Sequence, residues 1–114
     1  MSRVAHASVI DTSPIARLVR IVVDAWNPDA IWLFGSRARG TADAESDWDL
    51  LVVVPDTTAE RLTHDLLAGW ELARRAGVRA DVIACAARDF DDDANVTNTL
   101  AYEATHFGML LHEH

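Results

Sequence analysis

The chain has 114 residues, half of them hydrophobic and a quarter charged, which is an ordinary composition for one globular domain. Eighteen acidic residues stand against ten basic residues, all arginine, so the formal net charge is −8. This charge argues against a protein that coats DNA or RNA, because such proteins neutralise phosphates with a basic face. It suits a basic protein partner or a site whose carboxylates hold metal ions. We expect a single domain over residues 1–114.

The cysteine content and the hydrophobic segments limit the class of protein further. Cys85 is the only cysteine, which excludes an intramolecular disulfide and a cysteine-based zinc site. The N-terminal residues have no apolar core of signal-peptide length, and no run of about 18 apolar residues occurs to span a bilayer. We therefore expect a soluble, cytoplasmic protein with no membrane and no direct nucleic-acid partner. Cys85 itself is interpreted as a small core residue rather than a nucleophile.

A helix and then a strand are expected at the start of the chain. The helix is predicted to run from Thr12 or Ser13, either of which can cap it, to Trp26, with Pro14 in its first turn. Its apolar residues recur at spacings of three and four, which forms one stripe. After a break, the short bulky segment 30–34 ("AIWLF") is typical of a buried strand.

The segment 46–54 ("SDWDLLVVV") is predicted to be the second strand, ended by Pro55. Because successive side chains of a strand point to opposite faces, Asp47 and Asp49 share one face. The other face then carries the apolar residues Trp48, Leu50, Val52 and Val54. Two carboxylates therefore project together beside a buried strand, which is unfavourable unless they are paired or bind a cation.

A single helix is predicted for the segment that follows, with Gly77 as its C-terminal stop. Its apolar stripe would comprise Leu62, Leu66, Trp70 and Ala73. The four tryptophans are interpreted mostly as core residues, Trp26 and Trp70 on helices and Trp32 and Trp48 on strands.

A third strand is predicted over residues 78–85 ("VRADVIAC"), where Asp81 shares a face with Arg79 and Ile83. A helix over residues 96–107 and a short terminal strand or tail follow. The acidic run 91–93 is interpreted as a solvated face or helix end. Strands separated by helices predict an α/β (α+β) fold, a small mixed sheet with helices packed on one face.

The three aspartates predict a metal site. Residues i and i+2 on one face of a strand can ligate the same ions, and a third carboxylate, Asp81, can close the site. Mg²⁺ is the expected metal, because an all-oxygen donor set suits it and it keeps waters and substrate phosphates in its shell. Two such ions would stabilise both oxygens of an in-line displacement at phosphorus.

The turn after the first strand predicts a phosphate-binding loop. Gly35 lets the backbone approach a ligand, and exposed N–H groups with the Ser36 hydroxyl can hold phosphate oxygens. Arg37 and Arg39 are placed to neutralise a polyphosphate. The alternatives stay open: Arg37 and Arg39 as ordinary loop residues, the paired aspartates as a solvated strand entrance, and Asp81 in a salt bridge with Arg79.

These residues resemble the signature of the DNA polymerase β-like nucleotidyltransferases. The string "GSRARGTADAESDWDLLVVV" (35–54) is similar to that of the minimal, MNT-type members. The segment "ADVIAC" places Asp81 where that family has its third carboxylate, and "EATHFGMLLHE" is similar to its C-terminal ending. The resemblance implies a nucleotidyltransferase fold and the transfer of AMP from ATP with release of pyrophosphate. Asp47 and Asp49 would bind two Mg²⁺ ions.

The same resemblance implies roles for the remaining site residues and a partner. Ser36 would bind the terminal phosphates, and Asp81 would help ligate one metal and favour deprotonation of the acceptor hydroxyl. Minimal members are typically paired with a HEPN-family ribonuclease toxin, which they adenylylate on a tyrosine. The chain is therefore predicted to be an antitoxin in a hetero-oligomer with such a toxin, and its acidity suits a basic partner.

Two alternative functions remain open from the sequence. The protein could neutralise its partner by binding alone, with the carboxylates retained for nucleotide binding or folding. It could instead be a nucleotidyltransferase that acts on a small molecule such as an aminoglycoside, which would need no protein partner. Larger relatives that act on such substrates resemble this core with extra domains.

Overall fold

The computed structural model describes residues 10–114, and our expectation that no signal peptide is present rests mainly on residues outside this range. A single 3₁₀ turn, Ser13–Ile15, precedes the first helix. The helices are α1 (Ala16–Trp26), α2 (Ser36–Arg39), α3 (Asp56–Leu62), α4 (Ala68–Ala76), α5 (Ala87–Asp93) and α6 (Leu100–Phe107), and the strands are β1 (Ala30–Phe34), β2 (Trp48–Val54), β3 (Ala80–Ala86) and β4 (Met109–Glu113). Within the described range, none of these helices has the length and apolar character needed to cross a bilayer.

The strands form one mixed sheet in the order β3-β2-β1-β4. Strand β1 is antiparallel to β2 and β4, whereas β2 and β3 run parallel. The register sets Asp49 of β2 opposite Asp81 of β3 on one side and Phe34 of β1 on the other. The mixed α/β class predicted from the sequence is thus confirmed.

The larger part of the core lies between α1 and one face of the sheet. Trp48, Leu50, Val52 and Val54 of β2 belong to it, together with Leu18, Val22 and Trp26 of α1. The strand parity predicted for β2 is therefore confirmed. Asp49 and Leu51, being of opposite parity, face the other side of the sheet.

Helices cover both faces of the sheet, not one as expected. A second, smaller apolar cluster on the Asp49 face contains Phe34, Leu51 and Ala104, with Phe90 packed against it. Ala104 comes from α6 and Phe90 from α5. The sequence pattern did not predict α5, because its acidic residues hide the one apolar residue, Phe90, that faces the sheet.

The single helix predicted before Gly77 is wrong, since the segment forms two helices, α3 and α4. The Thr63 hydroxyl donates to the carbonyl oxygens of Ala59 (3.1 Å) and Glu60 (2.6 Å), a local bond that competes with helix continuation. Leu66 is 92% exposed and Trp70 is 58% exposed, so neither is a core residue. Helix α4 instead buries Leu72 and Ala73 and, as expected, ends at Gly77.

The remaining helix boundaries shift slightly from the prediction. The backbone N–H of Ser13 is bonded by the Asp11 carboxylate (2.9 Å), so Asp11 rather than Thr12 supplies the side-chain oxygen before α1. Helix α6 begins at Leu100, later than expected, because the Thr99 hydroxyl accepts the Tyr102 N–H (3.1 Å) as an N-cap. The terminal strand is present as β4.

Replacing Leu50 by alanine tests the assignment of the core. Leu50 is 0% exposed, so Leu50→Ala should lower the free energy of unfolding by about 2 to 5 kcal/mol in urea denaturation. Leu66→Ala makes the same chemical change at an exposed site and should change it by less than about 0.5 kcal/mol. Equal losses of stability in the two variants would contradict the finding that Leu50 is a core residue and that Leu66, between α3 and α4, is not.

Candidate active site

Asp49 and Asp81 lie side by side on neighbouring parallel strands. They are register partners, and each strand presents its aspartate to the face opposite the main core. Asp47 stands just before β2, where the Trp48 N–H still bonds the Arg79 carbonyl oxygen (3.0 Å) and continues the pairing. The structure therefore brings the three predicted carboxylates to one end of the β2–β3 pair.

The crowding of these carboxylates raises the pKa of Asp49. The first cause is partial burial, followed by the negative charge of Asp81, that of Asp47, and a hydrogen-bonding contact with Asp81. Each of these causes disfavours the ionised form of Asp49. A cation placed beside Asp49 would act in the opposite direction and favour its ionised form.

Arg79 is the cation that meets this set in the structure. Its Nη2 lies 3.1 Å from Asp47 Oδ1, and its Nη1 lies 3.4 Å from Glu45 Oε1. Among residues 10–114, Asp81 forms no salt bridge with an arginine. The alternative of an Arg79–Asp81 salt bridge is therefore not observed. Sequence parity indicated that Arg79 lies near the site but not that Asp47 is its partner.

The oxygen-only donor set fits a hard divalent cation such as Mg²⁺. Within the described residues, no group of three or more His, Cys, Asp or Glu side chains is gathered for metal binding as it stands. In the structure the Asp47 carboxylate pairs with Arg79, while Asp49 and Asp81 are in hydrogen-bonding contact with each other. By their chemistry, Asp47, Asp49 and Asp81 are the residues that could hold the metal.

Gly35 places the predicted phosphate loop directly against Asp49. It follows Phe34, the β1 partner of Asp49, and has a φ of 78°, a conformation that favours glycine. A Cβ atom at Gly35 would also overlap Asp49 Oδ2. Ser36 then opens the short helix α2 beside the same end of the sheet. The loop and the carboxylates are thus one site.

Arg37 lies away from the carboxylates. Its guanidinium donates to the Ser46 carbonyl oxygen through Nε (3.3 Å) and Nη2 (2.8 Å) and lies 4.4 Å from the centre of the Trp48 ring. Trp48 belongs to the opposite face of the sheet, so Arg37 closes the loop between β1 and β2. Its predicted role in nucleotide binding has no support from this position, and no sequence pattern indicated the contact with Trp48.

Arg39 ties the phosphate loop to α6. Its Nη2 lies 2.8 Å from Glu103 Oε1, and its guanidinium carbon lies 5.1 Å from the centre of the Phe107 ring. Helix α6 packs on the same face of the sheet as the aspartates. Arg39 is therefore near the site, although its charge is already paired with Glu103.

A groove of about 550 Å³ lies on the same face of the sheet as Asp49 and Asp81, although none of the three aspartates lines it. It begins at Leu51 and Ile83, the next residues on the same face after Asp49 and Asp81, and it includes Cys85. Burial, together with the charges of Asp89 and Asp93, raises the pKa of Cys85 to about 11. The thiol is therefore protonated at neutral pH, which supports our interpretation that Cys85 is not a nucleophile.

Comparison with known proteins identifies the family. The model of the nucleotidyltransferase domain matches residues 15–102, which include the loop, the three aspartates and the first turn of α6. This chain belongs to the nucleotidyltransferase domain family. No curated protein matches the sequence.

Solved structures show the same nucleotidyltransferase fold. One is a toxin–antitoxin crystallised with AMP-PNP, with a TM-score of 0.59 and 23% identity, covering 86% of this chain and 72% of that chain. Another is a mutant of the toxin–antitoxin MntA-HpeT, with a TM-score of 0.55 and 26% identity, covering 85% of this chain and 70% of that chain. Family membership supports a nucleotidyl transfer activity in general.

Replacing Asp49 by asparagine should stabilise the nucleotidyltransferase domain when no metal is bound. The native pKa of Asp49 is raised above its ordinary value of 3.8, so ionised Asp49 disfavours the fold above that pH and the penalty disappears as pH falls towards it. In EDTA at pH 7, Asp49→Asn should raise the melting temperature by about 1 to 3 °C, and the gain should vanish near pH 4.

The exposed Asp91 of α5 provides the control for removal of one negative charge. Asp91→Asn should change the melting temperature less than Asp49→Asn at pH 7. Adding Mg²⁺ should stabilise the wild type and the Asp91 variant but not the Asp49 variant. A lower melting temperature for Asp49→Asn in EDTA would contradict the crowding of carboxylates described above.

Proposed function

We propose that this nucleotidyltransferase is an Mg²⁺-dependent antitoxin that transfers AMP from ATP to a partner toxin protein, on a tyrosine of a HEPN-family ribonuclease. The observation that carries the proposal is the junction of Asp49, Asp81 and Gly35 at one end of the sheet. This junction places a candidate metal site in contact with a candidate phosphate loop. Similar folds in toxin–antitoxin structures supply the partner class.

The chemistry follows from what the site residues can hold. Bound Mg²⁺ would supply positive charge to the reacting phosphate and to the attacking and leaving oxygens. The Gly35–Ser36 loop would orient the triphosphate, because its backbone approaches Asp49 without an intervening side chain. The acceptor hydroxyl oxygen forms a bond to the α-phosphorus, and the bond to pyrophosphate breaks in line.

Asp81 is the residue that we assign to the acceptor. In support, it lies beside Asp49 on β3, the edge strand of the sheet. Its carboxylate would help ligate a metal ion and favour loss of the proton from the attacking hydroxyl. Asp47 and Asp49 would then keep the metal in place during transfer.

The net charge of the chain and the similar structures both favour a protein partner. The chain carries a net charge of −8, which favours association with a basic surface such as that of an RNA-cutting protein. Both similar structures are of toxin–antitoxins, and one was solved with AMP-PNP, an adenine nucleotide. A protein acceptor therefore ranks above a small molecule.

The activity is tested by incubating the protein with labelled ATP, Mg²⁺ and the protein encoded by the adjacent reading frame. Label should appear on the partner with the wild type. The amount of label should fall by at least about 100-fold with Asp47→Asn or Asp49→Asn, because both carboxylates would hold the metal charge that stabilises the transition state. Asp91→Asn provides a matched control and should retain full transfer. Label transfer that survives both site substitutions would contradict the assignment of the metal site.

Measuring protection of cells from the toxin, together with label transfer to a small molecule, distinguishes the proposed antitoxin activity from the two alternative functions. If Asp47→Asn still protects cells from the toxin, neutralisation depends on binding rather than on transfer. If label appears on an aminoglycoside with no partner protein present, the acceptor is a small molecule. The proposed antitoxin activity requires that transfer to the partner and protection be lost together.

A further inference from the structure

Arg79 and a metal ion compete for the same carboxylate if the proposed function is right. Arg79 Nη2 lies 3.1 Å from Asp47 Oδ1, and Asp47 is close enough to Asp49 for its charge to raise the pKa of Asp49. The guanidinium thus neutralises one of the three carboxylates that a divalent cation would need. Its second anchor is Glu45, at 3.4 Å.

The exchange needs only side-chain rotation, because the backbone on both sides of Asp47 is fixed. The Ser46 carbonyl oxygen accepts two bonds from Arg37 (3.3 and 2.8 Å), and the Trp48 N–H bonds the Arg79 carbonyl oxygen (3.0 Å). These bonds restrain the backbone on either side of Asp47, so rotation of the carboxylate away from the guanidinium is the movement that our proposal requires.

The pair is also weak enough to be exchanged. The side chain of Arg79 is 69% exposed and that of Asp47 is 47% exposed, so water screens their attraction. Once released, Arg79 can be solvated or remain with Glu45 without burying its charge. A divalent cation interacts with three carboxylates at once, which favours it over one guanidinium on one of them.

We propose that Arg79 is a built-in counter-cation of the active site, which holds Asp47 in the metal-free protein and must release it before the metal set is complete. Arg79 is thus a positioning residue that sets metal affinity through Asp47. This inference rests on the proposed function, since it assumes that Asp47 is a metal ligand.

Metal affinity tests the inference without an activity assay. Titration of the purified protein with Mn²⁺, followed by calorimetry, should show that Arg79→Gln binds the ion about two- to fivefold more tightly than the wild type, the factor expected for one exposed ion pair. Arg79→Lys keeps the charge but not the forked geometry, so its affinity should lie between the two.

Arg74 supplies the matched control for loss of one arginine. It pairs with Glu71 at 3.2 Å on α4 and is similarly exposed. Arg74→Gln should leave Mn²⁺ affinity within about 1.5-fold of the wild type, since Arg74 is exposed and pairs with Glu71 rather than with one of the three aspartates. If Arg74→Gln increased Mn²⁺ affinity as much as Arg79→Gln does, net charge alone would explain the effect, and the inference would be overturned.

A double-mutant cycle with Asp47→Asn isolates the pair. If Arg79 acts through Asp47, then Arg79→Gln should give no further gain in the Asp47→Asn protein. Unchanged or weaker Mn²⁺ binding by Arg79→Gln alone, with tight binding by the wild type, would overturn the role of Arg79 and leave the metal site intact. Absence of Mn²⁺ binding by both the wild type and Asp49→Asn would overturn the metal site and, with it, the role of Arg79.

Discussion

The parallel register of β2 and β3 forces two carboxylates together, and most of the site follows from that constraint. Asp49 and Asp81 are direct partners, so their side chains meet wherever the strands pair. Partial burial of Asp49, followed by repulsion from Asp81, raises the pKa of Asp49 and disfavours its ionisation. The repulsion persists only because the surrounding sheet is fixed by a large apolar core on its other face. The site is therefore electrostatically strained before any ligand arrives.

Two residues beside the carboxylates, Arg79 and Gly35, make this crowding less unfavourable. Arg79 pairs with Asp47 and neutralises its charge. Gly35 has no side chain in the space that Asp49 Oδ2 occupies, so the loop packs against the carboxylate without a clash. A bound divalent cation would supply charge of the same sign as the Arg79 guanidinium, and for this reason our proposal treats the two as competitors for Asp47.

The sequence predicted the parts of the fold that depend on short-range alternation. The two-residue periodicity correctly assigned Asp49 and Leu50 to opposite faces of β2. Once the apolar residues of a strand face the core, the residues between them must face the other way. Helical periodicity failed at Leu66 and Trp70, since a stripe does not reveal where a threonine hydroxyl ends the helix. The position of Arg37 was equally hidden, because its contacts with Ser46 and Trp48 depend on how the loop folds back.

Strand β2 has a further consequence, which concerns how this protein can change over evolution. One strand carries the apolar residues of the main core on one face and Asp49 on the other. An insertion or deletion within it would turn Asp49 into the interior and the apolar residues outward. Stability and chemistry are therefore inherited together along these seven residues. New substrates are more easily acquired through the loops at either end than through the strand itself.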